Sequence, residues 1–392
     1  MVDQGRRRDS ALSRVLAGAA IGASALVAGA AITAAVIAVI FARTVVTPPR
    51  KREEDVMILA VGEGTITLSA TLDSRTPGRY SLWFNGDTGH ARIGEILGYT
   101  ADTVTRQLLG VDFGSLDRAR RGRFSGWFYL SPGDLDVPFE DVEVQTELGA
   151  APAWYIPAEE PSSLWMIGVH GRAVRREETL RSVPVFRARG YNSLLVSSRN
   201  DGDAPASPDH RYALGDTEWK DIEAALRYAL DHGATSIVLM GWSMGGATVL
   251  QAVTRSALAE RVKGVVLDSP VVDWVTALHF QGVAYRLPRP VRLGILALLG
   301  SRWSKYLTGQ AAPIDLKRLD LVARAKELSK PILLLHSDDD GFVPSTASRA
   351  LAVARPDLVT FEEFTTARHT KLWNYDPERW NGAITRWLGR LG

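Results

Sequence analysis

The residues with the most chemical content lie in three short stretches. In the first, Gly241-Trp242-Ser243-Met244-Gly245-Gly246, one serine stands among glycines. SIVLM before it has the character of a buried strand, and GGATVLQAV after it that of an apolar helix. A tight strand-to-helix turn leaves no room for a Cβ beside its serine, which accounts for the glycines. Such a turn projects the Ser243 Oγ at the helix N-terminus. There the backbone N–H of Met244 points at a developing oxyanion. The plain alternative is an ordinary glycine-rich turn, because Gly-x-Ser-x-Gly alone is a weak signal in a chain with 35 glycines.

A serine hydroxyl is a poor nucleophile without a base. Of the seven histidines, only His369 lies late enough to come from beyond the last strand; it follows the strand-like LVTFEEF, in the loop TTARHT. His336 and His170 end strands and read as structural hydrogen-bonding groups. His90 reads as a surface or capping residue, and His210, His232 and His279 have no supporting context. The imidazole needs an acid to fix its tautomer and stabilise its cation. PILLLHSDDDGFVP offers Asp338, Asp339 and Asp340 at a strand exit. The spacing His-x-x-x-Asp-x-x-Val-Pro usual in this setting fits His336, Asp340, Val343 and Pro344, and so selects Asp340. Asp268, at the end of VVLDSP, is the second choice. A second oxyanion donor is expected after an early strand. LWMIGVHGRA puts the backbone N–H of Arg172 there, with a side chain read as irrelevant to the chemistry. Arg175 and Arg176 read as a solvated helix start, with attraction of an anionic substrate as the alternative.

These residues need a scaffold. From about Phe139, near-continuous apolar runs alternate with helical stretches, which indicates a mostly parallel sheet covered on both faces. DVEVQTEL and PAWYIPA read as a hairpin. Helices are expected near Glu177–Arg189, near Thr217–His232, from Gly245 and at the C-terminus. About sixty residues of helical character between VVLDSP and PILLLHS form a candidate lid, about 275–328. Residues 56–138 read as a small β-rich domain with no catalytic constellation, in which GEILGYTADTVTRQLL is ambiguous between strand and helix. From Val15 to Ala42 there is no charged residue, and that run is longer than a ~30 Å hydrocarbon core requires. A retained transmembrane anchor is expected at 15–42, after an N-terminal tail at 1–14 and before a solvated linker at 43–55. A cleaved signal peptide and a soluble Ala-rich helix are the alternatives. Four basic residues flank the span on each side, so charge does not set its orientation. The expectation is a single-pass cell-membrane protein with its catalytic bulk extracytoplasmic.

Composition narrows the classes. The 392 residues are 46% hydrophobic and 23% charged, which is the profile of folded domains and not of a disordered chain. A net charge of +2 gives no overall basic field for nucleic acid. The absence of cysteine excludes disulfides, thiolate metal sites and a cysteine nucleophile.

The chain order Ser, Asp, His is that of the α/β-hydrolases. On HG at 170–171, GWSMGG at 241–246, the Asp340 loop and His369, residues from about 139 onward resemble an α/β-hydrolase. LGDTEW, GWSMGGA, HTKLWN and DPERW further resemble membrane-anchored α/β-hydrolases of actinobacteria. Two departures stand out: Ser337, where the family commonly has Gly, and an oxyanion loop without the HGGG of many lipases. The resemblance implies the α/β-hydrolase fold with a helical lid and a serine hydrolase acting on a carboxylic ester or related acyl compound. It implies no metal or organic cofactor. The expected partners are a small acyl or lipid-like substrate and the membrane. A peptidase of aminopeptidase or prolyl-peptidase type and an acyltransferase use the same chemistry. A catalytically silent scaffold is the reading from another class.

Overall fold

The apolar runs assemble into one sheet. In the computed structural model, which describes residues 29–391, eight strands lie in the order β14-β13-β12-β11-β9-β10-β8-β7. They are β7 (Glu140–Thr146), β8 (Gly149–Ile156), β9 (Leu164–Val169), β10 (Asn192–Val196), β11 (Ser236–Trp242), β12 (Val262–Asp268), β13 (Ile332–Ser337) and β14 (Val359–Phe364). β8 runs antiparallel to both neighbours, so β7 and β8 form the expected hairpin. The other pairs are parallel. Every residue of β10 and β13 is buried, as a sheet covered on both faces requires.

Helices α2 (Val183–Arg187), α3 (Trp219–Asp231), α4 (Met244–Arg255), α8 (Thr346–Ala354), α9 (Leu372–Tyr375) and α10 (Pro377–Leu388) belong to this unit. α3 and α4 cover one face with Ile222, Leu226, Val249 and Leu250. α2 and α10 cover the other with Phe186, Trp380 and Ile384. The helix expected near Glu177–Arg189 is instead a 3-10 stretch over Arg176–Ser182 running into the short α2. Pro184 inside this stretch lacks the N–H that a continuous helix needs there.

Within the segment expected to form the lid the helices are α5 (Trp274–Ala284), α6 (Arg289–Leu299) and α7 (Lys305–Thr308), and they end before the expected 328. Leu321, Ala325 and Leu328 turn back into the core beside the sheet.

Residues 56–125 close into a six-stranded antiparallel barrel, in the order β1-β2-β5-β4-β3-β6. Its strands are β1 (Val56–Gly62), β2 (Thr65–Ser69), β3 (Tyr80–Phe84), β4 (Gly89–Tyr99), β5 (Thr103–Phe113) and β6 (Arg121–Ser125). Alternation builds it: in TITLS, Ile66 and Leu68 point inward and the hydroxyl residues outward. The ambiguous stretch is the β4–β5 hairpin. His90 is neither at the surface nor a cap. It is fully buried, its Nδ1 lies 2.7 Å from Asp112 Oδ2, and its ring packs edge-on against Trp83.

The apolar helix α1 (Gly29–Val46) has a mean hydropathy of 2.1 and is long enough to cross a membrane. Residues 1–28, with the expected tail and the first half of the expected span, lie outside the described residues. The helix continues to Val46, so the first four residues of the expected solvated linker are helical. Ala38, Ala42 and Val46 recur every fourth residue and are buried against the lid side of the sheet unit. Ile32, Val36 and Ile40, on another face, are exposed.

Candidate active site

The end of β11 and the start of α4 make the turn that carries Ser243. Its backbone sits at φ 50, ψ −116, a conformation that costs a non-glycine residue about 1–3 kcal/mol. The neighbouring glycines let the turn close. A Cβ on Gly241 would stand 2.6 Å from Gly245 O, and one on Gly245 would stand 2.4 Å from Val169 O.

Ser243, His369 and Asp340 come together from three loops. Ser243 Oγ lies 3.0 Å from His369 Nε2, and His369 Nδ1 lies 2.6 Å from Asp340 Oδ2. Asp340 is itself held on both oxygens. Its Oδ1 accepts the N–H groups of Phe342 and Val343, both at 2.8 Å, and its Oδ2 also lies 3.2 Å from His336 Nε2. Burial works against ionising this carboxyl, but His369 and His336 outweigh it and hold it below the usual carboxylate range. His336, expected to be structural, therefore braces the acid directly, and its Nδ1 lies 2.8 Å from Ser348 Oγ.

Asp268 faces elsewhere, accepting from Trp380 Nε1 at 2.8 Å and Ser269 Oγ at 3.0 Å. Asp338 pairs with Arg349, and Asp339 accepts from Ser337 Oγ and Arg368 N. The Ser337 hydroxyl also accepts Ala367 N at 2.9 Å. The residue standing where glycine is common thus ties the acid loop to the His369 loop.

His170 is fully buried, lies 2.8 Å from Gly171 O through Nδ1 and accepts Ser198 N through Nε2. Burial lowers its pKa to about 4, so the ring is neutral. Gly171 N donates to Glu178 at 2.8 Å. Among the described residues, neither Arg172 N nor Met244 N makes a loop, turn or cap hydrogen bond to a backbone carbonyl.

The Arg172 side chain has a function of its own. It donates to Val45 O at 2.9 Å, Thr44 O at 2.6 Å and Thr47 O at 3.1 Å. These are carbonyls at the C-terminal end of α1, left unpaired by the helix ending there. The loop after β9 therefore grips the apolar helix. Arg176, expected to be solvated, packs its guanidinium 4.3 Å from the Trp154 ring centre and donates to Ser197.

Two cavities meet at this centre. One, of about 160 Å³, holds Ser243 on an apolar wall that includes Phe41, Trp274, Leu278 and Tyr285. Phe41 comes from α1, and its ring is 5.5 Å from that of Tyr285 on the lid. The other, of about 270 Å³, holds His369 beside Asp73, Ser125, Arg368 and Lys371. Phe342 borders both, with its ring 5.3 Å from the His369 ring. Sequence reasoning missed Phe41, His336, Asp73 and Glu178. Of these, only His336 carried a signal in the sequence, its spacing of four residues to Asp340. No group of three or more His, Asp or Glu residues is placed to hold a metal among the described residues.

A serine at a strained strand-to-helix turn, on a doubly covered and mostly parallel sheet, defines the α/β-hydrolase class. The chain belongs to the alpha/beta hydrolase family, whose sequence profile matches residues 166–383, more than half of its length. Residues 57–125 match a domain of unknown function (DUF8805). The protein ABHD12B of Homo sapiens is 26% identical over 206 residues, covering 49% of this chain and 49% of that protein. YfhR of Salmonella typhimurium is 26% identical over 216 residues, covering 52% of this chain and 64% of that protein. The chain thus spans less than two-thirds of the length of the curated relatives it matches. An esterase of Pyrococcus furiosus, Pf2001, superposes with a TM-score of 0.52 at 20% identity, covering 67% of this chain and 95% of that one. That likeness is one of fold.

Proposed function

We propose that the protein is a membrane-anchored serine hydrolase that cleaves carboxylic esters with an apolar acyl group. The observation that carries this reading is the unbroken chain from Ser243 Oγ through His369 to Asp340 at the wall of an apolar cavity. His369 Nε2 takes the Ser243 proton as Oγ attacks the acyl carbon. The amides of Met244 and Arg172 receive the negative charge on the carbonyl oxygen. His369 then gives its proton to the leaving oxygen, the C–O bond breaks, and the acyl group stays on Ser243. Water, deprotonated by the same imidazole, hydrolyses that acyl-enzyme. Asp340 keeps the imidazole in the tautomer with Nε2 free.

The surroundings support anchoring. Ile32, Val36 and Ile40 form an exposed apolar face on α1, and α6 packs against the helix, with Gly294 at Ala38. The lid exposes Trp303 and Tyr306. Between Trp274 and Ile314 the chain carries five basic residues and no acidic one. Aromatic and basic residues of this kind suit a membrane–water interface with anionic headgroups. The test is labelling of the full chain, in detergent micelles, by a fluorescent fluorophosphonate. Wild type is expected to label, and Ser243→Ala and His369→Ala are expected not to. A folded wild type that stays unlabelled would overturn the proposal.

A further inference from the structure

The barrel contributes to the catalytic centre, and where it does so defines a subsite. Asp73, in the loop between β2 and β3, reaches across to the segment that carries His369. Its Oδ1 accepts from Arg368 Nε at 3.3 Å and from Lys371 Nζ at 3.2 Å. Burial opposes ionisation of Asp73, but Lys371 and Arg368 outweigh it and hold the carboxyl below its usual range. Asn374 fixes the same segment from beneath, donating to Arg79 O and Gly126 O of the barrel side. The buried Arg181 donates to Thr370 O and to Asn374. The cavity of about 270 Å³ therefore lies at a hydrogen-bonded junction between barrel and sheet unit, with His369 on its wall.

The direction of the chemistry assigns a role to this cavity. In acyl transfer from an ester, the general acid must face the leaving oxygen, and the acyl carbon must face the serine. Ser243 opens on the apolar cavity and His369 on the polar one. We infer that the polar cavity, walled by the barrel at Asp73 and Ser125, is the leaving-group subsite and takes a hydroxyl-rich alcohol. The substrate is then an amphiphilic ester, with its acyl chain beside α1 and its polyol beneath the barrel. Arg368 and Lys371 already share Asp73, so the cavity offers donors and acceptors to hydroxyl groups without requiring a charge on the ligand. This inference rests on the ester-hydrolase reading. It gives the barrel a part in substrate choice.

The test compares two octanoate esters, ethyl octanoate and 1-monooctanoylglycerol, with the full chain in detergent micelles and fluorophosphonate labelling run in parallel. Wild type is expected to prefer the glyceryl ester in kcat/KM by at least about tenfold, because hydroxyls that fill built hydrogen-bond positions discriminate strongly. Asp73→Asn removes the shared charge, and Ser125→Phe fills the cavity. Each is expected to cut that preference at least about tenfold while labelling of Ser243 persists. Tyr99→Ser, on an exposed part of the barrel, should leave the preference unchanged. Equal use of the two esters by wild type, or equal losses on both in each cavity variant, would overturn the inference. So would a stronger preference for 1-octanoylglycerol 3-phosphate over the uncharged glyceride, which would mark an anionic leaving group. Failure of wild type to label at all would instead sink the serine-hydrolase reading beneath it.

Discussion

Asp340→Asn is the sharpest perturbation of the proposed mechanism, because the structure dictates how the new side chain must sit. Oδ1 of residue 340 accepts two backbone N–H groups, from Phe342 and Val343. An asparagine keeps both bonds only by placing its carbonyl oxygen there. Its NH2 group must then occupy the Oδ2 position, 2.6 Å from His369 Nδ1. A donor at that place requires an acceptor on Nδ1, which moves the imidazole proton to Nε2. The Nε2–H then faces Ser243 Oγ as a donor and cannot take the serine proton. His336 keeps one bond, because its Nε2 also lies 3.0 Å from Val343 O, so the fold should survive. The loss expected from the wrong tautomer is about 10⁴-fold in kcat, or about 5.5 kcal/mol of transition-state stabilisation. The assay is turnover of p-nitrophenyl butyrate beside the rate of fluorophosphonate labelling, with near-ultraviolet circular dichroism as the check on folding. A folded variant that loses less than about tenfold would refute the reasoning, since His369 would then not depend on Asp340 for its tautomer. Asp268→Asn is the control: its oxygens face Trp380 and Ser269, and less than about tenfold is expected to be lost.

Three further outcomes are expected. Gly245→Ala would drive a Cβ to 2.4 Å from Val169 O and 2.5 Å from His170 O. Differential scanning calorimetry should show a loss on the order of 1–3 kcal/mol, and labelling of Ser243 should fall with it. Arg172→Ala leaves the backbone N–H in place but removes three bonds to the C-terminal end of α1. Hydrogen exchange at residues 44–47 should accelerate, and long-chain esters should lose more kcat/KM than butyrate, because Phe41 is no longer held against the cavity. Asp201, buried beside Tyr212, has its pKa pushed up by burial to about 7 from an ordinary 3.8. Between those values the native state binds more protons than the unfolded chain, so stability should fall as pH rises from about 4 to about 7. Asp201→Asn should flatten that slope, read as the difference in Tm between pH 5 and pH 8. An unchanged slope would show that Asp201 does not govern it.

Features set by local chemistry are legible in the residues alone. The glycines around Ser243 announce their turn because backbone atoms stand where a Cβ would be. Apolar runs such as ILLLHS announce a covered sheet because strands buried on both faces carry no alternation. The spacing from His336 to Asp340 fits one strand exit, and that exit puts Asp340 on His369. Features that depend on residues far apart in the chain emerge only from the folded arrangement. The Arg172 side chain looked idle because its acceptors lie more than a hundred residues upstream, at the end of α1. His90 looked superficial because its partner Asp112 comes from the neighbouring barrel strand. Asp73 had no visible part in the site because it sits in a loop with no motif and meets Arg368 and Lys371 almost three hundred residues later. The lid was drawn too long because helical character continues past Thr308, while packing turns Leu321 and Leu328 back onto the sheet. Motifs record the constraints a residue meets among its chain neighbours. The walls of a cavity record only which surfaces the fold brings together.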